Sequence, residues 1–452
     1  MTGTREALLS AFLKRIPGLD AHGTEVLRGA WGAVWARVLA VACGYAFALA
    51  VSRFYGAEGM GLYGLAAAVL ALAALPASLG LGVAVLRFIP ELLAQSGGAA
   101  IRRLYRNVLR LAVPSALVFG AALFAWARPI AERAFGDPAL AGALRLTAGM
   151  FPFFALGMIH IEAVRGFKNV GLSEALRGAC IPLVALCVLL TARRFAHGAR
   201  LTLWSYGAGV LVLFFLAVVS VVLHLRRLPA GDPATSPYGL RDMLRISAPM
   251  MWGELATVLM GRIDLVMLGL LADTRQVGVY ALVFKLGVLP GFLPAALATI
   301  AAPKFAELFW SGRRDELSRL VRLASGLMFW TSVPVFVCLA AAPRFWLGLF
   351  GNEFRAGAWA LILVGLGQIA TAASGYVGAF LNMTGRQKAY RNIIVASVVG
   401  NVLLNGLLIP RYGVSGAAAA SAVTTLFWNA AGVLCVWRAF GIRTLYLPFM
   451  RR

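Results

Sequence analysis

Residues 260–272, MGRIDLVMLGLLA, place an arginine and an aspartate inside an apolar run long enough to cross a membrane. An ionised side chain at the centre of a bilayer costs about 2.5–3.5 kcal/mol on insertion scales. We therefore expect Arg262 and Asp264 to face a cavity or a partner, and not lipid. Similar apolar runs recur along the whole chain, which predicts an all-α polytopic membrane protein with charged groups inside its helix bundle.

The composition supports this class. Of the 452 residues, 61% are hydrophobic and 13% are charged, whereas soluble domains carry about 25% charged residues. The formal net charge is +24, with 42 Lys and Arg against 18 Asp and Glu. Cationic residues concentrate in the cytoplasmic loops of membrane proteins, where they meet anionic lipid. We therefore interpret the charge as an adaptation to membrane lipids and not as a nucleic-acid-binding surface.

The apolar runs predict about twelve transmembrane helices, each long enough to cross about 30 Å of hydrocarbon. Most Lys and Arg fall in segments that are cytoplasmic if the N-terminus is cytoplasmic, so we predict that both termini lie inside. Residues 1–29 combine cations with apolar residues at helical spacing, which indicates an amphipathic segment on the cytoplasmic surface. The predicted spans are residues 30–52, 60–84, 108–127, 145–164, 174–192, 201–225, 246–271, 277–302, 324–343, 356–381, 389–409 and 413–437.

The two halves of the chain resemble each other at an offset of 217 residues. The segment GLY at residues 61–63 falls on GVY at residues 278–280, and RF at residues 87–88 falls on KF at residues 304–305. An even number of predicted helices separates the copies, so both have the same orientation in the membrane. This pattern predicts two six-helix bundles related by a pseudo-two-fold axis along the membrane normal.

The repeat also divides the chain into predicted domains. The N-terminal bundle covers residues 30–225 and the C-terminal bundle covers residues 246–437. A basic linker rich in Pro and Gly joins them at residues 226–245, and a basic cytoplasmic tail follows at residues 438–452.

Three stretches resemble the polysaccharide-transporter family of lipid-linked oligosaccharide flippases. Two of them are residues 28–88 and residues 261–286, GRIDLVMLGLLADTRQVGVYALVFKL. The third is residues 381–423, where a Gly-polar-Lys turn, an Asn-rich helix, the LIPRYG break and a small-residue helix follow in order. The resemblance implies the multidrug/oligosaccharidyl-lipid/polysaccharide exporter fold. The related lipid II flippases usually have two further helices, for which this chain leaves no room.

The same resemblance implies a function. Members of this family flip a polyprenyl-diphosphate-linked glycan of the O-antigen type across the bacterial inner membrane by alternating access. The expected partners are that lipid-linked glycan, membrane lipids, and a polysaccharide polymerase or glycosyltransferases.

Five ionisable residues inside the predicted spans are the candidate site residues. Asp264 and Lys285 lie about 10 Å and 12 Å from the same end of neighbouring helices, so we expect them to form a pair. Arg262 is about 200° around the helix from Asp264 and is expected to bind the diphosphate, because guanidinium donors match phosphate oxygens. Arg37 and Lys285 are further diphosphate-binding candidates. Arg37 and Glu254 occupy equivalent repeat positions and are expected to form a gate.

Other classes of function fit the sequence less well. None of the five lysines follows a glycine, so there is no P-loop, and no Cys or His cluster indicates a metal site or cofactor. Glu254 and Asp264 are the acids deep in the spans, so either is a candidate for ion coupling. A drug/cation antiporter of the same superfamily is one alternative. A membrane glycan polymerase is another, although the outer loops are short for an enzyme; we predict that the chain is not an enzyme.

Overall fold

A computed structural model describes residues 21–95, 97–195, 198–229, 239–446 and 448. Its regular elements in these ranges are all helical. Short π-helical turns lie at Ile130–Ala134 and Leu176–Cys180, and 3₁₀ turns at Leu289–Gly291 and Asn352–Gly357. The α-helices are α1 Ala21–Ala77, α2 Leu81–Gln95, α3 Gly97–Pro129, α4 Leu140–Gly166, α5 Val170–Ala175, α6 Ile181–Ala192, α7 Leu201–Arg227, α8 Leu240–Leu271, α9 Thr274–Gly287, α10 Phe292–Trp310, α11 Arg314–Ala341, α12 Pro343–Gly348, α13 Ala358–Ala373, α14 Val377–Met383 and α15 Gln387–Phe440.

Nine helical segments among the described residues are long and apolar enough to cross a membrane. Gln387–Phe440 contains two of the predicted spans, and Trp35–Ala77 contains most of two others. Each is bent at a glycine with positive φ, Gly56 at 62° and Gly413 at 52°, a conformation that only glycine adopts without strain. The predicted span 246–271 coincides with the C-terminal part of α8. The prediction of an all-α polytopic membrane protein is confirmed.

Two of the helix breaks lie at Pro and Gly residues of the sequence. Pro76 and Gly80 lie near one interruption, and Pro290 and Pro294 near another. In the structure α1 ends at Ala77 and α2 begins after Gly80, whose φ is 68°. The α9 helix ends just before Pro290, and a 3₁₀ turn separates it from α10. Proline removes a backbone donor and clashes with the preceding turn, which explains why the helices are interrupted at these points.

The described chain forms two compact units. Unit 1 contains the described residues up to Ala50, together with Ala73–Ala127 and Leu144–Met251. Unit 2 contains Val51–Leu72, Arg128–Ala143 and the described residues from Trp252 onward. Two short segments from the N-terminal half therefore pack with the C-terminal helices. The domain boundaries drawn from the repeat stay a prediction. Residues 1–20, 230–238, 447 and 449–452, which belong to the predicted surface segment, linker and tail, lie outside the described residues.

The core of unit 2 is apolar and helical throughout. Phe305 on α10, Met328 on α11, Phe380 on α14 and Val436 on α15 are all buried in one cluster. Burial of such side chains is worth about 1.5–3 kcal/mol each. This packing brings together helices that are distant in sequence, and it fixes the position of α15 against the rest of the unit.

Candidate functional site: a buried polar network around Asp264

Asp264 lies on α8 and is 2% exposed. Its carboxylate accepts hydrogen bonds from three neutral side chains of unit 2. The Tyr280 hydroxyl donates to Oδ2 at 2.7 Å, and the Asn405 amide donates to Oδ1 at 2.7 Å. The Ser421 hydroxyl also donates to Oδ2. Burial of a carboxylate without partners would be very costly, and these three donors offset the cost of removing Asp264 from water.

The network continues along α15. Asn405 also donates to Oδ1 of Asn401 at 2.9 Å, and Asn401 donates to the Thr424 hydroxyl at 3.3 Å. Asn401 and Asn405 are four residues apart, and therefore share one face of the first half of α15. Both are fully buried. The Oδ1 atom of Asn405 is buried and has no hydrogen-bond partner within the described structure.

Two structural features place these groups together. The kink at Gly413 folds α15 back, so the face that carries Asn401 and Asn405 meets the face that carries Ser421. The α9 helix lies close to α1, and its Tyr280, which is 1% exposed, points toward Asp264. The result is a buried cluster of carboxylate, amide and hydroxyl oxygens. Such a cluster can exchange a proton or hold a small monovalent cation, which are common roles for intramembrane acids.

The pair expected between Asp264 and Lys285 is wrong. Among the described residues Asp264 is bonded by Tyr280, Asn405 and Ser421, and it forms no ion pair with Lys285. Tyr280 faces Asp264. Lys285 lies five residues further along α9, where the helix has turned by about 140°, so its side chain leaves the helix in a different direction. An expected equal depth therefore did not determine the direction of the lysine side chain.

Arg262 and Lys285 are brought near each other. Both are half-buried in unit 2, and each lies within electrostatic range of the other. Arg262 also lies within electrostatic range of Tyr63 on α1. The structure records no ion pair for Arg262 within the residues that it describes. Two neighbouring cations form a region of positive potential that is suited to an anionic group.

Arg37 has a partner that the sequence did not reveal. Its Nε atom donates to Glu174 on α5 at 3.0 Å, within unit 1. The Arg37 side chain is 41% exposed and that of Glu174 is 13% exposed. Glu254 is exposed on α8. The gate between Arg37 and Glu254 stays a prediction.

Sequence reasoning missed most of the network. Tyr280 lies in the GVY repeat segment, and Asn401 and Asn405 lie in the Asn-rich helix, but the sequence pattern assigns none of them to the site. The available signal was a pair of asparagines at a spacing of four within an apolar span, since polar residues there normally face a protein interior.

The chain was compared with protein-family models and with curated proteins. The family model described as "Polysaccharide biosynthesis protein" matches residues 33–309, and the MatE model matches residues 249–407. A probable low-salt glycan biosynthesis flippase, Agl15 of Haloferax volcanii, is 21% identical over 376 residues, covering 82% of this chain and 75% of that protein. The probable flippase AglR of the same organism is 24% identical over 317 residues, covering 67% of this chain and 62% of that protein.

Solved structures share the fold. The lipid II flippase MurJ in an inward closed conformation superposes with a TM-score of 0.70 at 12% identity, covering 91% of this chain and 87% of that one. The MATE multidrug transporter DinF-BH superposes with a TM-score of 0.62 at 15% identity, covering 96% of this chain and 99% of that one.

Proposed function

The chain belongs to the polysaccharide biosynthesis protein family, and we propose on this premise that it flips a polyprenyl-diphosphate-linked oligosaccharide between the two leaflets of a membrane. The match of the family model to residues 33–309 carries the proposal. The flippase names of the two Haloferax relatives and the fold shared with MurJ support it. The membrane is the bacterial inner membrane, and both termini lie on its cytoplasmic side. The glycan is destined for a surface polysaccharide such as O-antigen.

The charges in the spans fit this cargo. Arg262 and Lys285 are within electrostatic range of each other, and a diphosphate between them would offset their mutual repulsion. The guanidinium of Arg262 would form paired hydrogen bonds with phosphate oxygens, and Lys285 would act as a point charge. Arg37, which pairs with Glu174 in unit 1, stays a further candidate for contact with a diphosphate.

The Asp264 network is the proposed coupling site. A proton or a small cation at the carboxylate would change the charge within a buried cluster that joins α8, α9 and both halves of α15. Because α15 bends at Gly413, a change in its hydrogen bonds to Asp264 would alter how the two halves pack. Glu254 is the second candidate for this coupling, or for a gate. Translocation needs no bond to be broken, so we propose a transporter and not an enzyme.

The experiment is an extraction of lipids from a strain that lacks this gene, followed by mass spectrometry of polyprenyl-diphosphate-linked sugars. We expect a completed oligosaccharide unit to accumulate while the surface glycan is lost, and expect the wild-type gene to reverse both effects. A normal lipid-linked pool with an intact surface glycan would contradict the proposal. Cross-linking to a polymerase or glycosyltransferase in the same strain would identify the expected protein partners.

A drug/cation antiporter is the second candidate. The MatE model matches residues 249–407, and MATE transporters share the fold. If the lipid-linked pool is normal, drug susceptibility of the deletion strain becomes the deciding measurement. An increase in susceptibility that Asp264→Asn fails to correct would favour this alternative.

A further inference from the structure

The two halves of α15 form a groove at the end away from their bend. They run antiparallel from Gly413, as the hydrogen bond of 3.3 Å between Asn401 and Thr424 indicates. Beyond this contact the halves bound a groove of about 480 Å³. Its walls are mostly apolar and carry two cations; the lining includes Arg386, Ala389, Ile393, Ala431, Leu434 and Arg438.

The position of the groove relative to a bilayer follows from helix geometry. Arg386 and Arg438 each lie roughly 25 residues from Gly413, which is about 40 Å of helix. A bilayer with its headgroups is about 40–45 Å thick. If the bend at Gly413 lies near one membrane face, the two arginines lie at the headgroup level of the other. The groove then extends from that level into the hydrocarbon.

Arginines are concentrated at this end of unit 2. The guanidinium groups of Arg314 and Arg386 each lie 5.8 Å from the ring centre of Phe440. Arg313 next to them forms an ion pair. In contrast, the described part of the chain supplies no ion pair for Arg314, Arg386 or Arg438. Like charges in such proximity repel one another, and an anion among them would remove this repulsion.

We propose that this groove binds a glycerophospholipid with an anionic headgroup. Its phosphate lies between Arg386 and Arg438, and an acyl chain lies against Ile393 and Leu434. Basic pockets between transmembrane helices commonly bind acidic headgroups. The apolar wall beside the two cations matches the amphipathic shape of a phospholipid, and the charge is complementary. The bound lipid holds the two ends of α15 together, whichever substrate the protein transports.

Native mass spectrometry of the purified, delipidated full chain tests this site. Phosphatidylglycerol and phosphatidylcholine with the same acyl chains are titrated in parallel. We expect preferential binding of phosphatidylglycerol, weakened about tenfold by Arg386→Gln or Arg438→Gln through loss of a charge-assisted contact. Ala431→Phe fills the groove without changing charge and is expected to weaken binding as well.

Arg391→Gln is the matched control. Arg391 lies on the same half of α15 and is exposed, but it does not line the groove. Equal weakening by Arg391→Gln would show only diffuse attraction and would overturn the proposal, as would equal binding of the two lipids. Displacement of phosphatidylglycerol by a lower concentration of polyprenyl diphosphate would assign the cations to the cargo instead. The two arginine variants change exposed side chains, so they decide the test even if Ala431→Phe does not fold.

Discussion

Gly61 and Gly278 lie backbone against backbone and are related by the internal repeat. A Cβ atom at Gly61 would lie 1.9 Å from the carbonyl oxygen of Thr274, and one at Gly278 would lie 1.9 Å from that of Ala57. The offset of 217 residues makes Ala57 equivalent to Thr274, and Gly61 equivalent to Gly278. Each contact is therefore the counterpart of the other, as in an isologous contact about a two-fold axis. This reciprocity supports the duplication that the sequence pattern predicted.

Substitution of Gly278 by alanine is expected to destabilise the protein. The new methyl group would meet backbone atoms of α1, so α9 would have to move away and carry Tyr280 with it. Overpacking of this kind costs about 1–3 kcal/mol. Thermal unfolding in detergent, followed by size-exclusion fluorescence, measures the loss. Gly261→Ala on α8 is the control, because no atom lies within 4 Å of its Cβ position. Equal melting temperatures for Gly278→Ala and the wild type would refute the close approach.

Asp264→Asn is expected to preserve the fold and to reduce flipping by at least about tenfold, because it removes the ionisable group that would couple transport. Asparagine keeps the size of the side chain and two of its polar atoms. Restoration of the surface glycan in the deletion strain is the readout, with protein level measured alongside.

Asp315→Asn is the control for this substitution, since Asp315 is exposed at the start of α11. By contrast, Asp264→Leu removes the carboxylate that accepts from Tyr280, Asn405 and Ser421, and a buried donor left without an acceptor costs about 1–3 kcal/mol. We expect that variant to lose stability as well as transport. Full transport by Asp264→Asn would exclude a coupling role.

Arg262→Ala is expected to abolish transport and leave the protein inserted, and Arg262→Lys is expected to restore it only in part. A lysine supplies the charge but not the fixed fork of donors that binds two phosphate oxygens. Accumulation of the lipid-linked oligosaccharide measures the defect. Arg241→Ala, an exposed substitution on the same helix, serves as the control. Normal transport by Arg262→Ala would contradict the role in diphosphate binding.

Glu353→Gln is expected to weaken the bend at Gly56. The Glu353 carboxylate accepts a hydrogen bond from the backbone N–H of Ala57 at 2.7 Å and pairs with Arg275 at 3.3 Å. Glutamine keeps an acceptor oxygen but loses the charge, and a hydrogen bond to a charged group is worth about 1 kcal/mol more than a neutral one. Thermal unfolding measures the loss of stability in Glu353→Gln, and Glu58→Gln, an exposed substitution next to Ala57, is the control. A similar small change in both variants would show that the cap contributes nothing.

Charge reversal distinguishes the two partners assigned to Arg37. The structure pairs Arg37 with Glu174, whereas the predicted gate pairs it with Glu254. We expect Arg37→Glu with Glu174→Arg to restore protein level relative to either single variant. Arg37→Glu with Glu254→Arg is expected to restore transport. If the second combination is no better than its single variants, the gate is wrong.

The sequence by itself determined the all-helical membrane class of the protein and several of the places where its helices break. Apolar length, cation distribution and the Pro and Gly residues at 76, 80 and 290 are local features, and the local backbone responds to them directly. The sequence also identified Asp264 as a costly charge in a span, because that cost depends only on its depth. The break expected at LIPRYG coincides with the bend at Gly413, because it too depends on the local backbone.

Only the tertiary structure decided the partners. Asn405 and Ser421 lie 141 and 157 residues from Asp264, and Glu174 lies 137 residues from Arg37. Counting residues along a helix gives the depth of a side chain but not the neighbour that its face meets. That neighbour depends on how α8, α9 and the two halves of α15 pack, which arises from many contacts between distant segments. For this reason the network of neutral donors around Asp264 replaced the expected ion pair with Lys285.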